Sequence, residues 1–117
     1  MTFASLLSVR DIQPLPSQQP VARIQAIVAE AYGISPRMMW SHDRHRYVTW
    51  PRQVAMYLVR ETTHKSFPNI AKLFGGVDHT TVMHALKAVE KRMATIPFYR
   101  DDVEALRARV GRRGSSE

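Results

Sequence analysis

The sequence predicts an all-α fold, a small bundle of about six helices containing a helix-turn-helix, from three observations. Apolar residues recur at i, i+3, i+4 and i+7 in several separate windows, the spacing of one buried helical face. Between the windows stand Gly33, Ser35-Pro36 and Gly75-Gly76, residues that stop and start helices. One stretch, Ser66 to Ala88, joins two such windows through the paired glycines, the layout of a helix, a tight turn and a second helix.

In chain order, residues 1–20 end in PLPSQQP, whose three prolines and polar filler predict an extended, flexible arm. The folded domain is expected over residues 21–111. Ile24, Ile27, Val28 and Ala31 form the stripe of a core helix from Val21 to Tyr32, with Gly33 at its C-terminal cap. Ser35-Pro36 opens a short helix reaching Met39 or Trp40, and Trp40 suits a core or rim anchor better than a base-stacking platform. Ser41 to Tyr47 is a polar, basic loop. Pro51 suits the first turn of a long helix with Val54, Ala55, Leu58 and Thr62 inside and Arg52 and Arg60 outside.

The next helix has Ser66 as N-cap, Pro68 in its first turn and Phe67, Ile70, Ala71 and Phe74 on its buried stripe. After the paired glycines, Val82, Ala85, Leu86, Val89 and Met93 share one arc of a second helix. Thr80, His84 and Lys87 fall on the opposite side, beside Asp78 and His79 at the N-terminal end. A helix fixed by a glycine turn, with short hydrogen-bonding side chains at its start, matches a recognition helix in a major groove. Pro97 then starts a last helix carrying Val103, Leu106 and Val110, Gly111 ends it, and residues 112–117 form a disordered basic tail.

At 117 residues and 44% hydrophobic content, one domain with a modest core is expected. The absence of cysteine excludes disulfides and thiolate zinc sites, and no export signal or membrane-spanning run is visible, so a cytoplasmic location is expected. Of the net charge of +7, the segment from Arg37 to Arg92 holds +6, with ten Lys/Arg against four Asp/Glu. Such a field attracts polyanions, although a charge run alone also suits a solvated surface.

The residues Pro68-x-Ile70-x-x-x-Phe74-Gly75-Gly76-x-Asp78-His79-Thr80-Thr81-Val82-x-His84-Ala85, preceded by Pro51-Arg52-Gln53-x-Ala55-Met56-Tyr57-Leu58, carry a family resemblance. This pattern resembles the C-terminal DNA-binding domain, domain IV, of the bacterial replication initiator DnaA, over roughly Val21 to Met93. The resemblance implies a Trp-repressor-like helical fold. It also implies double-stranded DNA binding at asymmetric boxes of the TTATNCACA type, in replication-initiation control or transcription regulation on the nucleoid. It assigns Arg44 to base contacts in the minor groove and Asp78, His79, Thr80 and Thr81 to base contacts in the major groove, with Met83 a second-tier candidate for a thymine methyl. Phosphate contacts are assigned to Arg46, Arg52, Arg60 and Pro68, with Lys87 a second-tier phosphate candidate and His84 a second-tier candidate of no fixed contact.

Side-chain chemistry agrees with these assignments. A carboxylate accepts from the cytosine amine, and Thr or Met offers an apolar contact to a thymine methyl. An aspartate at a helix start is also an ordinary N-cap, and two carboxylate oxygens allow both roles. Two positions depart from the family pattern: Val77 replaces a residue that is usually basic, and Asp43 interrupts the basic loop.

The chain has no G-x-x-x-x-G-K-S/T phosphate loop, which implies DNA reading without an AAA+ ATPase motor. One domain suffices for an asymmetric site, so a monomer on DNA is expected, with no cofactor and no membrane contact. Residues 1–20 lie outside the resemblance and leave room for a protein partner. An enzyme would have to draw on His42, His45, His64, His79 or His84, yet His42-x-x-His45 lacks a third ligand at useful spacing, so neither a metal nor a catalytic role is expected. The other rival is a fold of this kind reused as a protein-interaction module, or as a competitor or regulator of the initiator.

Overall fold

Caps written into the sequence set the helix ends. In the computed structural model, which describes residues 19–111, α1 spans Gln19–Tyr32, a 3₁₀ helix spans Pro36–Trp40, and α2 spans Arg46–Thr63. Three more helices follow: α3 at Phe67–Leu73, α4 at His79–Thr95 and α5 at Pro97–Gly111. The predicted all-helical bundle is therefore five α-helices and one 3₁₀ helix among the described residues. The expected arm and tail lie outside those residues, except that Gln19 and Pro20 already belong to α1.

At the end of α1, Gly33 and Ile34 donate their N–H groups to the carbonyls of Glu30 (3.1 Å) and Ala29 (2.9 Å), which closes the last turn. Ser35 caps the 3₁₀ helix, its hydroxyl accepting from the Arg37 N–H, and Ser66 caps α3 in the same way from Asn69. α2 differs from expectation by beginning at Arg46, five residues before Pro51. The Asp43 carboxylate accepts the His45 N–H (2.8 Å), and the His45 carbonyl accepts from Val48 (2.9 Å) and Thr49 (2.8 Å), so the turn forms upstream of the proline. Pro51 has no N–H for the Tyr47 carbonyl, but Tyr47 is exposed, where water can supply the missing donor.

α2 is the central strut. It packs on α1 along one side and on α4 along another, burying Val54, Ala55, Met56, Leu58 and Val59. Thr62, expected on this inner side, is exposed. The core face of α1 is Val21, Ile24, Gln25, Val28 and Ala29, with Ile27 half-buried and the expected stripe member Ala31 exposed. Val103, Leu106 and Val110 of α5 close the bundle, as expected. The stripe of α3 delivers Ile70, Ala71 and Phe74 to the core, and Phe74 is fully buried. Burying a side chain of that size contributes about 1.5–3 kcal/mol. Phe74 thereby nails the end of α3 in place just before the glycine turn.

Candidate nucleic-acid interface

The turn between α3 and α4 is made by backbone conformations that suit glycine. Gly75 and Gly76 have φ of +92° and +74°, and the Gly76 N–H closes back on the Ala71 carbonyl at 2.9 Å. Gly75 also answers a packing need, because a Cβ there would stand 2.5 Å from the Trp40 carbonyl oxygen. Trp40 is thus an anchor at the rim: the residue is 47% exposed, and its main chain seats against the turn. From the other side, buried Gln25 of α1 donates to the Leu73 carbonyl at 3.0 Å, supplying a partner for the open C-terminal end of α3. Gln25 was missed in the sequence, although it sits at the i+4 place of the Val21, Ile24, Val28 pattern. A polar residue inside an apolar stripe is the signal that would have found it.

α4 starts where the polar cluster predicts. Asp78 is its N-cap: Oδ1 accepts the Thr80 N–H at 3.0 Å and the Thr80 hydroxyl at 3.1 Å, with His79 Nδ1 at 3.2 Å. These contacts, the Thr80 N–H first, hold the Asp78 carboxyl below the usual carboxylate range. One oxygen is committed to the cap, while Oδ2 has no partner among the described residues and can accept a further donor. While the Thr80 hydroxyl donates to Asp78, its oxygen remains free to accept from a ligand. Asp78, His79, Thr80 and Thr81 are all exposed, as are His84 and Lys87, while Met83 is half-buried. Behind them Val82, Ala85 and Val89 are buried, so the division of α4 into packed and open faces is as expected.

Arg44 is exposed in the loop after the 3₁₀ helix. Arg46, expected in the same loop, is instead the first residue of α2, also exposed. Arg52 requires a correction. Expected on the outer side of α2 as a phosphate contact, it is only 9% exposed. Its Nε donates to the Met38 carbonyl (3.1 Å) and its Nη2 to the Ser41 hydroxyl (3.2 Å) and the Asp43 carbonyl (2.9 Å). This guanidinium grips the root of the loop that presents Arg44. Burial lowers its pKa and nearby Asp43 opposes that shift.

Asp43 itself is part of the loop's construction. Its carboxylate holds the His45 N–H and lies 2.7 Å from His45 Nδ1, and these hydrogen bonds lower its pKa. A lysine or arginine at this position could not make those contacts. Arg60 is half-buried, donating to the Lys65 carbonyl at 2.6 Å and stacking 4.5 Å from the Phe67 ring centre. Pro68 is exposed in the first turn of α3, and half-buried Val77 packs on the core.

Two separate pieces therefore converge on the glycine turn. The loop carrying Arg44 follows directly from Trp40, whose carbonyl abuts Gly75, and Gly75 lies three residues before Asp78. Among the described residues no group of three or more His, Asp or Glu is placed to hold a metal ion, and no described helix is long and apolar enough to cross a membrane.

Comparisons with known proteins bear on this arrangement. The family described as bacterial dnaA protein helix-turn-helix matches residues 21–89. The chain is 42% identical over 105 residues to the chromosomal replication initiator protein DnaA of Symbiobacterium thermophilum, covering 88% of this chain and 23% of that protein. Against the DnaA of Ehrlichia ruminantium the identity is 49% over 83 residues, covering 71% of this chain and 18% of the relative. A crystal structure of a DNA replication initiation factor aligns with a TM-score of 0.72 and 29% identity, over 80% of this chain and 29% of that one. The chain thus spans about a fifth of the length of these two initiator proteins.

Proposed function

The chain belongs to the bacterial DnaA helix-turn-helix family, and from that premise we propose that it binds double-stranded DNA sequence-specifically at DnaA-box-like sites. The observation that carries this reading is the exposed, pre-capped start of α4, where Asp78, His79, Thr80 and Thr81 stand outside a fully packed core. In this reading they meet base edges in the major groove while Arg44 enters the adjacent minor groove. Arg46, Lys87 and the exposed first turn of α3 at Pro68 meet phosphates, and Arg52 acts by holding the Arg44 loop.

A narrow A·T-rich minor groove concentrates negative potential, which suits a single exposed guanidinium. Binding serves control of replication initiation or of transcription, one domain occupies one asymmetric box, and the 19–111 unit performs no catalysis. Titrating the purified chain against a labelled box duplex and a scrambled duplex of equal length tests this. Specific binding predicts a preference of about a thousandfold or more at physiological salt. Equal affinity for the two duplexes would defeat it and leave a protein-interaction role for the same fold.

A further inference from the structure

Most of the half-buried arginines in the bundle have obvious internal employment. Arg107 bonds Glu61 and Glu104, Arg109 bonds Glu30, and Arg23 donates to the carbonyls of Arg109 and Val110. Half-buried Arg92 does not follow this rule, and it shares its neighbour with Arg46, which is exposed. The guanidinium carbons of Arg46 and Arg92 lie 5.2 and 4.2 Å from the centre of one ring, Trp50, and neither has a carboxylate within salt-bridge distance among the described residues. Arg92 donates from Nη1 to the Gln53 side-chain oxygen at 2.6 Å and also lies 5.8 Å from the centre of the Tyr99 ring, while the Arg46 guanidinium makes no hydrogen bond among the described residues. A guanidinium has five N–H donors, so most of those on this ring remain available.

Trp50 is itself held edge-on against buried Tyr99, at 5.6 Å and 86°. The ring is therefore a fixed platform for two cations that lie within a Debye length of each other and repel. An anion bound between or beside them removes that repulsion and meets donors whose side chains are already ordered. Cation–π stacking accounts for the geometry of each arginine singly. Two stacked guanidinium groups without a counter-charge leave a place for an anionic ligand.

We propose that Arg92 and Trp50, together with Arg46, form a further anchor for the DNA backbone, a phosphate site beside the minor-groove position that Arg44 occupies. The proposal rests on the DNA-binding reading above. DNA is the anion the placement favours, because Arg46 is two residues from Arg44 and Arg92 lies on the recognition helix itself. Trp50 acts as a positioning residue, and Arg92 would touch phosphate.

The test uses the full chain on the box duplex, with affinity measured from 50 to 200 mM salt for the wild type, Arg92→Gln, Arg92→Lys and Trp50→Leu. A set of duplexes carrying single neutral methylphosphonates maps the contact, and thermal melting confirms that each variant is folded. Each phosphate contact contributes about 0.9 to the slope of log K against log salt. Arg92→Gln should lower the slope by about one and become insensitive to one methylphosphonate that weakens the wild type, while keeping the box-to-scrambled ratio. Arg92→Lys should restore most of the slope. Trp50→Leu should lower affinity on both duplexes by a similar factor.

If folded Arg92→Gln keeps the wild-type slope and methylphosphonate pattern, or if Arg92→Lys fails as Arg92→Gln does, the anchor does not exist and Arg92 serves only packing. Failure of the wild type itself to prefer the box would instead defeat the DNA-binding reading.

Discussion

At the scale of single residues, Asp78 can combine two duties through its two oxygens. Oδ1 caps α4, and in the proposed complex Oδ2 accepts from a donor on a base. Replacing Asp78 or His79 by alanine is expected to weaken binding to a box duplex roughly five- to a hundredfold and to reduce discrimination against a scrambled duplex, measured by anisotropy titration. Asp78 and Asp43 also carry a pH signature, since both carboxyls are held below the usual range, by the N–H groups of Thr80 and His45 respectively. For a depressed pKa the stabilising contribution is complete above the unfolded-state value and disappears as pH falls through the lower folded-state value. Melting temperature should therefore be insensitive to these groups from pH 7 to about 5 and fall below about pH 4. Asp78→Asn, which retains an acceptor but does not titrate, should show a shallower acid decline in the same melts.

At the scale of elements, the glycine turn and the arginine loop are two parts of one assembly. Gly75→Ala introduces a Cβ against the Trp40 carbonyl at a φ of +92°, and the backbone strain alone costs about 1–3 kcal/mol. The expected fall in melting temperature is about 4–8 °C per kcal/mol for a domain of this size, and Gly76→Ala, with open space around its Cβ, should fall less. Arg52→Ala should cost about 1–3 kcal/mol of stability and weaken both box and scrambled duplexes. Arg52→Lys should not restore either property, because one ammonium cannot reproduce the planar fork that reaches Met38, Ser41 and Asp43.

Much of this level was legible in the sequence. The capping serines, the paired glycines and the apolar arc of α4 are local signals, and each marks the element it predicts. The start of α2 was not legible, because Pro51 is a stronger start signal than the Asp43 turn that begins the helix upstream. Nor was the inward course of Arg52, since the carbonyls that draw it in come from residues 9 and 14 positions away. Pattern reading places an arginine outside by default, and only the fold shows acceptors waiting within.

Over the whole molecule, charge is partitioned along with function. Residues 37–92, which contain the Arg44 loop, α3 and most of α4, hold +6 of the net +7, and the remaining segments nearly cancel. Affinity for a box duplex should consequently fall with salt at a slope of about −3 to −5 in log K against log salt, for four or five phosphate contacts, measured between 50 and 200 mM. In the proposed complex Val77 and Asp43 add no phosphate contact to that value: Val77 packs on the core, and the Asp43 carboxylate accepts the His45 N–H and folds the loop.

The seat of the Trp40 carbonyl on Gly75 has one more implication. It works as the rivet of a calliper, with the Arg44 loop as one jaw and the start of α4 as the other, and a riveted gauge does not stretch to suit the object measured. In the proposed complex the duplex must bring its own groove spacing to the protein, or flex until it does. Pliable pyrimidine–purine steps between the two contact points would then favour capture even where no side chain touches a base.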